Sequence, residues 1–262
     1  MALRKAIAKL ETFFAGRDSR PGVLARRLLG QSHTEDARLS QLICNAHQSQ
    51  ARMDGSIHGS LVDTAWAAWE MMDLGLDALN ASLSRLVHWV LQQVEAQPDP
   101  LPPADSPLTL ANGAVLSGTT AASFAAHCLG LRVLLRARQD VRPGVSQRVD
   151  ALAGEWPPFR YDLAACALGT LALAATPHRE RLPGFVQQVG EAQGKDGTWS
   201  NVNLFHMLEA LLLAGIRPAR DLIVKSVPAL VSLQREDGSF DEEANEERAL
   251  IGLNALLVAQ EG

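Results

Sequence analysis

One short pattern recurs along the chain and constrains it more than any other feature. Gln193-Gly194-Lys195-Asp196-Gly197-Thr198-Trp199 and Gln234-Arg235-Glu236-Asp237-Gly238-Ser239-Phe240 share the order Gln-x-x-Asp-Gly-Ser/Thr-aromatic, and their aspartates lie 41 residues apart (196 to 237). Gln50 to Ser56 is a third copy with one extra residue. Stepping back by the same interval reaches Gly154-Glu155-Trp156 and then Asn112-Gly113. A fixed period of 20–50 residues marks a repeat architecture, whose units cannot bury their apolar faces alone. Asp-Gly-Ser/Thr supplies a turn and a helix N-cap together.

Between the turns the periodicity is helical. Each unit runs from a turn into an Ala/Leu-rich helix that ends at a small residue, Gly75, Gly130, Ala175 or Gly215, and then into a second, more charged helix. Two helices of about 14 residues with two connections account for the interval. The apolar first helices suit an inner layer and the charged second helices an outer one. With a further hairpin in the first ~45 residues, this predicts an all-α chain. It forms one domain over 1–262, a single α/α toroid (an α6/α6 barrel) of about six helical hairpins, with an open solenoid as the runner-up. The stretch 97–117 holds five prolines and an Asn112-Gly113 turn signal, and is expected as a Pro-rich loop insertion.

Charge and cysteine content narrow the function. With 24 Lys+Arg against 29 Asp+Glu the net charge is −5, which argues against a nucleic-acid partner. Three cysteines, an odd and small count, argue against a disulfide framework, and no apolar run reaches the ~20 residues of a transmembrane segment. No targeting segment is visible, so a cytoplasmic location is expected. No phosphate-cradling or dinucleotide glycine pattern occurs, so no cofactor is expected.

The Gln-x-x-Asp-Gly-Ser/Thr-aromatic repeats, with Asp63-Thr64-Ala65 at the start of an inner helix, resemble the α/α-toroid superfamily of squalene cyclases, terpene cyclases and prenyltransferases over about residues 40–260. The resemblance implies the toroid fold and an apolar or isoprenoid-like substrate. Proton-initiated cyclases of that group carry Asp-x-Asp-Asp-Thr-Ala. Here Ser60-Leu61-Val62-Asp63-Thr64-Ala65 keeps the last aspartate alone, with Val62 in the proton donor's place. Asp241 to Glu247 is acidic, but it follows a repeat turn, where acids favour a helix N-terminus. The prenyltransferases hold zinc. Cys44, His127, Cys128, Cys166 and His206 have no chelating spacing here, so no metal is expected.

Aligning the inner helices on their terminal small residues places Asp63, Asp162, Asn203 and Glu246 or Glu247 around a polar mouth. Trp66, Cys166 and His206 fall one turn deeper. The expected site therefore has Asp63, His206, Glu246 and Glu247 as catalytic candidates and Trp66, Trp69, Asp162 and Asn203 as substrate-binding candidates. If Asp63 is the acid or base, burial beside Trp66 is expected to raise its pKa and make it a usable proton carrier. The function expected is a terpene-cyclase-like enzyme acting by acid–base chemistry with noncanonical residues. The alternative is a non-catalytic toroid that binds a lipid-like ligand or a protein partner. For each candidate a plain structural reading stands beside the functional one: capping for Asp63, a satisfied core histidine for His206, and core packing for Trp66 and Trp69.

Overall fold

The computed structural model describes residues 2–97, 107–157 and 160–261. Among them are twelve α-helices: α1 (Ala2–Phe14), α2 (Arg20–Leu28), α3 (Glu35–Gln50), α4 (Leu61–Asp73), α5 (Ala81–Ala96), α6 (Thr119–Arg136), α7 (Pro143–Gly154), α8 (Tyr161–Leu171), α9 (Leu182–Glu191), α10 (Leu204–Ala214), α11 (Arg217–Leu233) and α12 (Glu246–Gln260). A two-stranded antiparallel hairpin, β1 (Leu108–Thr109) and β2 (Val115–Leu116), precedes α6. Residues 107–117 of the expected loop insertion thus form a short hairpin, while 98–106 lie outside the described residues. No helix is long and apolar enough to cross a membrane among the described residues.

The even-numbered helices pack side by side in the order α2, α12, α10, α8, α6, α4. The odd-numbered ones lie against them: α3 on α2 and α4, α5 on α4 and α6, α7 on α6 and α8, α9 on α8, and α11 on α10 and α12. The first helix packs on α11, α12 and α2, so the two ends of the chain meet. Burial follows this division. In α8 every residue from Leu163 to Leu171 is buried, as expected of a helix covered on two sides, whereas α11 buries only Ala219, Ile223, Ser226, Ala229 and Leu230.

The repeated turn owes its chemistry to a close approach. The carboxylates of Asp54, Asp196 and Asp237 each accept from the backbone N–H two residues on, at 2.9, 3.1 and 3.0 Å. The next residue is a glycine at positive φ (Gly55 90°, Gly197 82°, Gly238 93°). A Cβ at any of the three would strike the carbonyl of a neighbouring outer helix: Arg85 in α5, Lys225 in α11, Lys9 in α1. The conserved spacing is therefore a docking device between each turn and a neighbouring helix. The glutamine pins the same joint. Gln193 Nε2 donates to Gly197 O, Leu222 O and Ser226 Oγ, and Gln234 Nε2 donates to Ala6 O in α1 at 3.0 Å. In the first copy the register differs from the sequence reading. Arg52 N–H bonds Ser56 O as Gly194 N–H bonds Thr198 O, which places Ala51, not Gln50, at the glutamine position. Gln50 is exposed at the end of α3 and makes no such joint.

Candidate functional site

Lone charges inside otherwise apolar helices build the centre of the molecule. Arg132 sits in Leu129–Leu135 of α6 and Glu209 in Leu204–Ala214 of α10. A charge among such neighbours is costly unless it is paired. Arg132 Nη1 meets Glu209 Oε1 at 3.2 Å, and its Nη2 donates to the carbonyls of Ala165 and Cys166. Beside this pair, Arg20 at the start of α2 is 5% exposed and bridges Glu247 of α12 at 2.5 Å and Asp73 of α4, to which its Nε donates at 2.9 Å. Arg136 pairs with the other oxygen of Asp73. Arg20 also lies over the Trp66 ring at 5.2 Å and Arg136 over Trp69 at 4.5 Å.

Two cavities meet at Glu209 and Glu247. The first, about 330 Å³, is lined by Leu24, Leu28, Trp69, Leu212, Leu213, Leu250 and Ile251, with Arg20, Asp73 and the two glutamates as its polar floor and Arg27 and Asn254 beside them. The second, about 290 Å³, is lined by Val62, Asp63, Trp66, Leu129, Arg132 and the segment Thr109–Asn112, again with the two glutamates. That segment is the tip of the β1–β2 hairpin, and it roofs the second cavity. Asn112 is 3% exposed and donates to Glu209 Oε2 at 2.7 Å. Arg248 of α12 clamps the tip from behind, donating to Asn112 O at 2.8 Å and Gly113 O at 3.1 Å. Gly113 has φ 74°, and a Cβ there would strike the Arg248 guanidinium.

The electrostatics single out Glu247. Burial pushes its carboxyl up from 4.5 to about 7; the Arg20 charge pulls against this and the Glu209 charge adds to it. Arg20 stays charged, because Glu247 and Asp73 outweigh the burial that opposes its charge. His206 is held neutral, its imidazolium disfavoured by burial down to about 4. Its Nε2 lies 3.3 Å from Cys166 Sγ and 3.1 Å from the Asp162 carbonyl, and its Nδ1 lies 3.4 Å from the Asn112 amide. The Cys166 thiol is pushed well up by burial and then by Cys128, whose own thiol rises to about 12 for the same first reason. Neither thiol is a ready nucleophile.

The expected residues separate on this map. Glu247 lines both cavities, Trp66 the roofed one and Trp69 the other. Asp63 lines the roofed cavity at its rim, but its side chain is 47% exposed and 3.2 Å from His58, so the burial expected for it is absent. Nor does Asp63 cap its helix. Ser60 is the N-cap of α4 and accepts from the Asp63 N–H at 3.2 Å. Glu246 is bound to Ser19 and Arg17 outside both cavities, and Asp162 pairs with Arg160 at 2.7 Å. Asn203 is the N-cap of α10, accepting from the Phe205 and His206 N–H groups. His206 and Cys166 converge, whereas His127 meets Gln97. No group of three metal-ligating side chains occurs among the described residues.

Arg20, Asp73, Arg132, Glu209 and Asn112 are the site residues that sequence reasoning missed. For Arg132 and Glu209 the signal was present, since Arg132 interrupts the apolar run Leu129–Leu135 and Glu209 is the one charged residue in α10. For Asp73, at the end of α4, and for Asn112, in a loop, only the tertiary contacts distinguish them from ordinary surface residues. No family model matches the chain. No curated protein matches it either.

Proposed function

We propose that the twelve helices form a closed α/α toroid of six hairpins, and that its axial cavity binds an apolar, isoprenoid-like small molecule on which Glu247 moves a proton. Closure is supported by the packing order from α2 through α12 to α4 and by Lys9 and Ala6 of α1 receiving the last repeat turn as α11 receives the one before it. The observation that carries the chemistry is the position of Glu247: a carboxyl group whose side chain is 14% exposed, at the junction of two cavities, one of them walled by leucine, isoleucine and tryptophan. An acid whose pKa lies near neutrality can both give and take a proton there. The protonated carboxyl would form a C–H bond with an alkene carbon, leaving a carbocation. Loss of a proton from a neighbouring carbon back to the carboxylate would complete an isomerisation or cyclisation with no oxidant or reductant. The likeness to terpene cyclases supports the substrate class, while the acid differs from the one those enzymes use.

Incubating the protein with farnesol in D₂O tests this. Mass spectrometry should find deuterium on carbon in recovered farnesol or in an isomer of it. Farnesol that binds but gains no deuterium between pH 5 and 8 would contradict the catalytic reading. That result would favour the second reading, a binding toroid without chemistry. The 2.5 Å Arg20–Glu247 ion pair and the valine at position 62 speak for that alternative.

A further inference from the structure

The two ends of the axial cavity are covered differently. At the end where α4 and α12 begin, the Asn112 tip fills the opening and Arg248 and Asn245 hold it by bonds to three successive carbonyls, those of Ala111, Asn112 and Gly113. At the other end nothing comparable among the described residues covers the leucine-lined chamber. Leu28, in its wall, is 44% exposed. Two polar groups stand there. Arg27 is exposed, and no carboxylate among the described residues pairs with it. Its Nη1 donates to the Asp73 carbonyl and its Nη2 to Ser40 Oγ, both at 3.2 Å. That leaves part of its five-donor fork unused. The Asn254 amide, also lining the chamber, has no hydrogen-bond partner among the described residues.

We infer that this open end is the entrance, and that it takes a single-chain amphiphile tail first, with a carboxylate head held at Arg27 and Asn254. This rests on the apolar-cavity reading above and adds the head group and the direction of entry. Charge decides between heads. Deeper in the floor Arg20 is already matched by Asp73 and Glu247, and Arg132 and Arg136, which do not line the chamber, pair with Glu209 and Asp73, so the floor has no spare cation for a second charge. One unmatched guanidinium suits a single negative charge. A multiply charged head would meet Asp73 and Glu247 without compensation. A cationic head would be repelled by Arg27. Entered this way, the tail ends at Glu247, where the proposed proton transfer takes place. Arg27 also covers the C-terminal carbonyl of α4, a role a neutral donor can keep.

Titration calorimetry at pH 8 with dodecanoate, dodecanol, dodecyl phosphate and dodecyltrimethylammonium, each below its micelle concentration, separates the possibilities. Dodecanoate should bind about tenfold more tightly than dodecanol. Dodecyl phosphate and the ammonium should bind more weakly than dodecanoate. Arg27→Gln should bring dodecanoate down to the affinity of dodecanol and leave dodecanol unchanged. Dodecanol as tight as dodecanoate, or an Arg27→Gln variant that loses nothing, would overturn the head-group assignment while leaving the cavity reading intact. Dodecyl phosphate at or above dodecanoate would overturn the single-charge argument. If none of the four binds, the cavity reading fails together with this one.

Discussion

The two cavities share Glu209 and Glu247 but are covered differently. Over the roofed one lies a hydrogen-bonded hairpin tip: Asn112 serves Glu209, Arg248 holds the tip, and Ser60 caps the helix that carries Asp63. The open one is a wall of leucine, isoleucine and tryptophan, with Arg20, Asp73 and the two glutamates on its floor and Arg27 and Asn254 beside them. Helix N-termini attract caps, acids and hydroxyls whether or not anything binds. Apolar walls at the far ends of the same helices look like core. A polar mouth inferred from sequence is therefore drawn toward the capped end, and the chamber at the other end, walled by apolar residues, leaves little trace in the sequence.

Removing the shared acid is the strongest way to break this comparison. Glu247→Gln should keep the fold and the hydrogen bond from Arg20, yet lower deuterium incorporation into farnesol by about 100-fold or more. The same variant has a pH signature. Because folding raises the Glu247 pKa from 4.5 to about 7, its contribution to stability is complete below pH 4.5 and is lost as the pH rises through 7. In denaturant titrations Glu247→Gln should therefore gain stability relative to the wild type between pH 5 and 8. A constant difference would show that Glu247 is already ionised at the lower pH.

Loosening the roof sharpens the contrast by a smaller amount. Asn112→Ala leaves Glu209 Oε2 without its donor and the Ala114 N–H without its acceptor. Thermal or denaturant unfolding should show a loss of about 1–3 kcal/mol. An unchanged midpoint would mean that the tip is not held. Smallest of all should be Asp63→Asn. With its side chain half in water, this variant should keep proton transfer within about twofold and stability within about 0.5 kcal/mol. A large loss of deuterium incorporation in Asp63→Asn would return the acid role to the rim.

The sequence was readable where a residue type has one local cause. Asp-Gly-Ser/Thr turns and the Ala/Leu runs marked the helical hairpins and their order, because turn geometry and 3.6-residue periodicity are local properties. Counting back along the inner helices gave Glu246 or Glu247, and of the two it is Glu247 that lines both cavities. Asp63 was misjudged in its burial, since its neighbours in space include His58 and open water rather than a covering element. Arg20 stood in an unremarkable Ser-Arg-Pro-Gly helix start, and its partners Asp73 and Glu247 lie 53 and 227 residues away. The hairpin that roofs one cavity sat inside a proline-rich stretch that reads as loop. Such long-range pairings leave no periodic trace.

Which cavity holds the ligand is the claim on which the rest depends, and one pair of blocking variants measures it. Leu213 lines the open chamber and Leu110 the roofed one, and both are partly exposed, so tryptophan can be placed at either without filling the core. Calorimetry with dodecanol should find binding abolished in Leu213→Trp and preserved within about twofold in Leu110→Trp. Binding lost in Leu110→Trp and kept in Leu213→Trp would contradict the account and move the ligand under the hairpin.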